Sequence, residues 1–228
     1  MDRSVSRIGA GAGWLALAGI LAYHIGLSIV AGQRVSGTTD LGAINAYYSQ
    51  PVVAWWGVEQ FLVLVPLLVF IVAMRETLAI GPYGRLLTGV ALVAAAAEAP
   101  VILTQIAVQA ALVSGVQAGQ DVGALFRLWD VLYNSGAYVL EATWVLAFGL
   151  AMRPVAAFPR FTSWLSPLTA LLLGINVFAI WVGIPDVATL PSAFLLGTWL
   201  AGASIGLRRV STGEASSSAI GARSPSSA

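Results

Sequence analysis

The sequence predicts an all-α fold, a polytopic membrane helix bundle of six transmembrane helices with N-terminus and C-terminus both cytoplasmic. Three observations carry that prediction. Hydrophobic residues make up 58% of the chain and charged ones 9%, with a mean hydropathy of +0.86, the composition of a chain solvated by lipid. Six stretches are apolar over the roughly 20 residues that a spanning helix needs. The arginines, finally, gather on alternate sides of those stretches.

The spans run over 13–30, 53–74, 86–113, 131–152, 164–182 and 190–207. Arg3 and Arg7 precede the first, as they would in a secretory signal. Tyr23 and His24 interrupt its apolar core, however, and Ile29, Val30 and Ala31 make a poor cleavage site, so it reads as a retained span. Its opening run GAGAGW sets Gly9 and Gly13 four residues apart, the spacing of a close helix–helix contact. After it, TTDLGAINAYYS offers Asp40 as an N-cap, then Leu41, Ile44 and Tyr48 at helical spacing with Tyr47 beside them. Before the fourth span, QDVGALFRLWDVLY repeats the pattern with Asp121, Leu125, Phe126 and Trp129. Both read as short helices on the membrane surface whose aromatics anchor at the interface; a lid over an outward-facing site is the second reading.

Orientation follows from the charges. Arg3 and Arg7, Arg75 and Arg85, Arg153 and Arg160, and Arg208, Arg209 and Arg223 all fall on one side. The other side holds Arg34 and Arg127 together with Asp40, Asp121, Asp130 and Asp186. Positive loops stay in the cytoplasm, which makes this a multi-pass protein of the plasma membrane with its acidic loops outside. Residues 1–209 form one six-span domain, and 210–228, rich in Ser, Ala and Gly, read as a disordered cytoplasmic tail.

Composition also excludes chemistry. A net charge of +1 offers no field for nucleic acid. The chain has no cysteine, hence no disulfide or thiolate metal site, and no lysine, hence no Schiff base or lysine nucleophile. Its single histidine cannot supply both axial ligands of a membrane b-type haem, and no multi-histidine box, HExxH, DxxxD-type pair, Walker loop or dinucleotide turn is present. The expectation is therefore no cofactor and no metal. The expected partners are the bilayer and a small-molecule or lipid ligand.

What remains are polar residues inside the spans. Glu98 lies about 18 Å from the inner face by helical rise, Glu141 near the same level, and Asn176 near mid-span, while His24 and Glu59 lie roughly 9 Å below the outer surface. Glu98, Gln105 and Gln109 share one helix face, and Asn134, Tyr138 and Glu141 share another. An acid at bilayer centre costs about 3 kcal/mol even on the milder insertion scale. The two stripes should therefore face each other or a wet cavity. Pro100, two residues past Glu98, leaves the carbonyl of Ala96 without its helical donor, a second polar feature at the same depth.

The segment FPRFTSWLSPLTALLLGINVFAI, with EATWVLAFGLAMR ahead of it, resembles a group of uncharacterised six-span bacterial integral membrane proteins of a domain-of-unknown-function family. The arginine-only, alanine-rich and glycine-rich usage is similar to that of actinobacterial-type chains. The resemblance rests on aromatic and proline landmarks across spans four to six; it implies the topology and brings no site residues.

Three functional classes are open. The first is an outward-facing polar cavity lined by intramembrane carboxylates that binds or transports a small cation, proton or lipophilic ligand, with Glu98, Glu141, Glu59, His24, Gln105, Gln109, Asn134, Tyr138 and Asn176 as its candidates. The second is a membrane enzyme of cyclase or isomerase type that uses acid/base carboxylates on a lipid or isoprenoid. The third is a structural or accessory subunit whose polar stripes serve packing alone. The topology itself is testable: reporter fusions at residue 209 and within 81–83 should read as cytoplasmic, and fusions near Thr38 or Gln120 as external. An external signal at residue 209 would contradict the six-span arrangement.

Overall fold

The structure, a computed structural model, describes residues 3–32, 35, 37–182 and 189–213, without the side chains of 23, 24, 28, 54–61, 180, 189 and 190. The described residues contain helices and no strand. In chain order they are α1 (Arg3–Leu21), a π-helical segment (Ala22–Gly26), α2 (Leu27–Ala31), α3 (Leu41–Tyr48), α4 (Pro51–Leu78), α5 (Gly81–Gln117), α6 (Gly123–Val131), a second π-helical segment (Leu132–Ala137), α7 (Tyr138–Met152), α8 (Arg160–Trp181) and α9 (Thr189–Thr212). Because the π-helical segments continue the helices on either side, α1 to α2 and α6 to α7 each form one rod.

Four stretches, Arg3–Leu21, Gly81–Gln117, Gly123–Met152 and Arg160–Ala179, are long and apolar enough to cross a membrane. The outer surface agrees with this. Val93, Leu171, Phe178 and Phe194 are each 60% exposed or more, which water would penalise and lipid does not. Trp164 and Trp181 project from opposite ends of α8, 72% and 77% exposed, at a separation of about 26 Å by helical rise, close to a hydrocarbon thickness of roughly 30 Å. The chain is an all-helical membrane protein.

Among the described residues, six long rods form a closed ring. Each packs chiefly against its chain neighbours, α1 on α4, α4 on α5, α5 on α7, α7 on α8 and α8 on α9, and α9 returns to α1. Tight approaches are made by small residues. A methyl group on Gly13 would overlap Ser204 and Phe70, and one on Gly149 would overlap Ser166. Gly9, the other member of the spaced pair, lies against Ala73, so the pair fits α1 into the ring between α4 and α9. With no hydrophobic drive between helices in lipid, such close packing supplies the association energy.

Two apolar clusters fill the ring at different heights. Toward the end that carries Arg3, Phe70, Met74, Trp144, Phe148, Trp199 and Leu207 belong to one cluster. Toward the other end, Leu27, Tyr48, Leu112, Phe126, Trp129 and Tyr133 belong to the second. Here α3 and α6 depart from the sequence-based expectation. Ile44, Tyr47, Tyr48, Phe126 and Trp129 are all buried, so the aromatics expected to anchor in lipid turn inward and cap the bundle. Periodicity locates an apolar face, but a cap and a lipid surface are equally apolar partners for it.

The local signals were otherwise sound. The Asp40 carboxylate accepts from the backbone N–H groups of Gly42 at 2.8 Å and Ala43 at 3.3 Å, capping α3. Asp121 sits one residue before the N-cap of α6 and accepts from Gly123 N–H at 2.9 Å. The end of α5 closes on Gly119, at φ 67°, with Gln120 N–H donating to the Gly115 carbonyl at 2.9 Å and Gly119 N–H to Val116 at 3.1 Å, a left-handed stop that glycine makes without steric cost. Pro100 lies inside α5 without ending it. At the chain's end α9 runs to Thr212 with Val210 and Ser211 buried, so 210–212 belong to the bundle and not to the tail; residues 214–228 lie outside the described residues.

Candidate functional site

Between the two clusters lies a cavity of about 120 Å³, and all six rods line it. Glu98 and Glu141 both face it, with Gln105, Tyr133, Tyr138 and Ser192. The rest of its wall is aliphatic, including Ile20, Leu67, Ile102 and Leu196. Glu98 stands near the middle of α5, seventeen residues from its start, and its carboxyl is close enough to that of Glu141 for the two to interact electrostatically. The convergence expected from the costs of burying acids in a bilayer is thus present.

Glu98 is held from below. Trp144 Nε1 donates to Glu98 Oε2 at 2.5 Å, and both side chains are buried. The Trp144 ring meets the Trp199 ring at 5.6 Å, Trp199 Nε1 donates to Ser166 Oγ at 2.7 Å, and Ser166 donates to the Thr162 carbonyl at 3.1 Å. Each indole thereby satisfies its N–H while its ring fills the apolar layer. One Glu98 oxygen is committed to this floor.

The roof is a ladder of rings. Tyr48 meets Phe126 at 6.1 Å and Trp129 at 6.0 Å, Trp129 stacks on Tyr133 at 5.4 Å, and Tyr133 meets Tyr138 edge-on at 5.7 Å. The last two are cavity residues. Aromatic contact therefore runs without a break from the cap to the site.

No family model matches the chain, and no curated protein or solved structure is significantly similar to it. The site must be read from its own geometry.

That geometry sorts the candidates. Glu98, Glu141, Gln105 and Tyr138 meet at the cavity. Gln109 does not; it bridges the cap to α4, accepting from Trp129 Nε1 at 3.2 Å and donating to the Val53 carbonyl at 3.4 Å. Asn134 also faces elsewhere, donating to Asp130 Oδ1 at 2.7 Å, while Asp130 Oδ2 accepts from Gly37 N–H at 2.9 Å. The physical reason is the π-helical segment over Leu132–Ala137. Its wider turn inserts a residue relative to 3.6-residue periodicity, so the face holding Asn134 is rotated away from that of Glu141, and Tyr133 takes the cavity position. Asn176 stands behind the wall and donates to Ser192 Oγ at 3.4 Å. The side chains of His24 and Glu59 lie outside the described residues; His24 belongs to the first π-helical segment and Glu59 to α4.

Sequence reasoning missed Tyr133, Ser192 and Trp144. Only Trp144 carried a signal, its position three residues after Glu141 on the same helix face. The Glu98–Trp144 bond makes a clear stability prediction. Glu98→Gln retains an acceptor for the indole and should unfold in detergent within error of the wild type. Glu98→Leu strands a buried N–H and should cost about 1–3 kcal/mol. Equal stability of the two variants, measured by thermal unfolding, would contradict the bond's role.

Proposed function

We propose that this chain is a six-span plasma-membrane protein, with both termini cytoplasmic, whose central cavity takes up a small cation or proton against Glu98 and Glu141 for passage across the membrane. The convergence of two mid-membrane carboxyls on one cavity carries the reading. Interhelical glue alone would be served more cheaply by amides, since an average hydrogen bond between spanning helices contributes only about 0.6 kcal/mol and an acid brings an insertion cost several times larger. The arginine asymmetry supports the orientation.

Size argues for a small ligand. A cavity of roughly 150 Å³ accommodates benzene, so about 120 Å³ suits a few waters or a handful of heavy atoms and is too small for an isoprenoid chain. On this ground a small ligand is favoured over the cyclase-type alternative. The cavity lies between two packed layers and is only partly enclosed. The outer layer is built partly of two short helices, α3 and α6.

The reading is tested in proteoliposomes carrying an imposed gradient of protons or of a monovalent cation. Wild-type protein should dissipate one of these gradients, and Glu98→Gln and Glu141→Gln should slow it at least about tenfold while remaining folded. Flux that survives in both variants, or none above protein-free vesicles, would contradict it.

A further inference from the structure

We infer that the ligand is a small organic ammonium ion that also carries a hydrogen-bond acceptor about three carbons away, the chemistry of a short amino alcohol. The inference rests on the reading of the cavity as a cation site and adds the ligand's class. Its independent observation is Gln105. This side chain is 2% exposed, lines the cavity, and its Nε2 has no hydrogen-bond partner among the described residues. A buried N–H left alone is costly, and one on a residue that lines a cavity asks for an acceptor on whatever enters.

The rest of the wall narrows the class. An inorganic cation is best served by oxygen ligands all round, whereas most of this lining is hydrocarbon, which suits a carbon spacer between two polar ends. The carboxyls of Glu98 and Glu141 supply the anionic end. Tyr133 and Tyr138, edge to face at 5.7 Å, add ring faces of the kind that attract ammonium groups.

Helix geometry sets the length. Glu98 and Gln105 lie seven residues apart on α5, a rise of about 10 Å. Because their side chains are isosteric and lean the same way along one helix, their end groups are offset by a similar amount. Two hydrogen bonds of about 2.9 Å at the ends leave roughly 4–5 Å between the ligand's nitrogen and its acceptor. Three carbons span that distance, and such a molecule has few enough heavy atoms for a cavity of about 120 Å³.

Isothermal titration calorimetry on the purified full chain in detergent tests this with three probes of matched size. These are 3-aminopropan-1-ol, butylamine, in which a methyl replaces the hydroxyl, and 1,3-propanediol, in which a hydroxyl replaces the ammonium. The amino alcohol should bind at least about tenfold more tightly than butylamine, the margin expected when a site's polar group is left unpaired, and the diol should not bind. Gln105→Leu should erase the preference while butylamine still binds, with Gln105→Met, nearer in shape, giving the same result if the leucine variant is unstable. Glu98→Gln should weaken both amines at least about tenfold. Equal affinity for the two amines in the wild type, or a preference that survives in the Gln105 variants, would overturn the assignment. Absence of any amine binding would overturn it too; cation or proton flux that still depends on Glu98 would then leave the cation-site reading standing, and loss of that flux would remove both.

Discussion

A carboxyl at the centre of a bilayer costs about 3 kcal/mol or more to insert, and this chain carries one well inside each of two neighbouring helices of spanning length. That cost constrains how both helices turn. α5 must present Glu98, and α7 must present Glu141, to the interior of the bundle, and neither can rotate toward lipid without exposing a polar group. The remaining rods complete the ring around that pair, and their aliphatic side chains give the cavity a low-dielectric wall. In such a wall two carboxyls interact more strongly than they would in water.

The same constraint explains why the site is framed by tryptophan. A mid-membrane acid needs a donor that does not itself bring charge, and Trp144 supplies an N–H on a ring that packs as hydrocarbon. Trp199 repeats the arrangement one layer further, donating to Ser166. On the opposite side Trp129 donates to Gln109 and holds α6 down over the site. Close helix contacts at Gly13 and Gly149 let α1 and α8 approach near enough for these large rings to pack the layers on either side of the cavity.

Much of the fold was legible because membrane spans are read from length and apolarity, two properties a sequence carries openly. Long helices fall over the expected stretches, four of them long and apolar enough to cross a membrane, and Asp40 marked the start of α3. The pairing of Glu98 with Glu141 was legible too, since lipid forbids the alternative. What could not be read depends on partners and on local helix geometry. The cap aromatics Tyr48, Phe126 and Trp129 have the same spacing whether they meet lipid or protein. The π-helical turn over 132–137 has no sequence signature, yet it shifts the register of Asn134 against Glu141, and Tyr133 of that turn lines the cavity. Ser192 entered the site from α9, where no long polar stripe announced it.

The central claim is that Glu98 and Glu141 act as one site. Infrared titration of the carboxyl bands, in wild type and in Glu141→Gln, measures this most directly. The account predicts that the two groups titrate as a coupled pair in the wild type, and that neutralising Glu141 moves the midpoint of the Glu98 band. A Glu98 band that titrates identically in both proteins would contradict it.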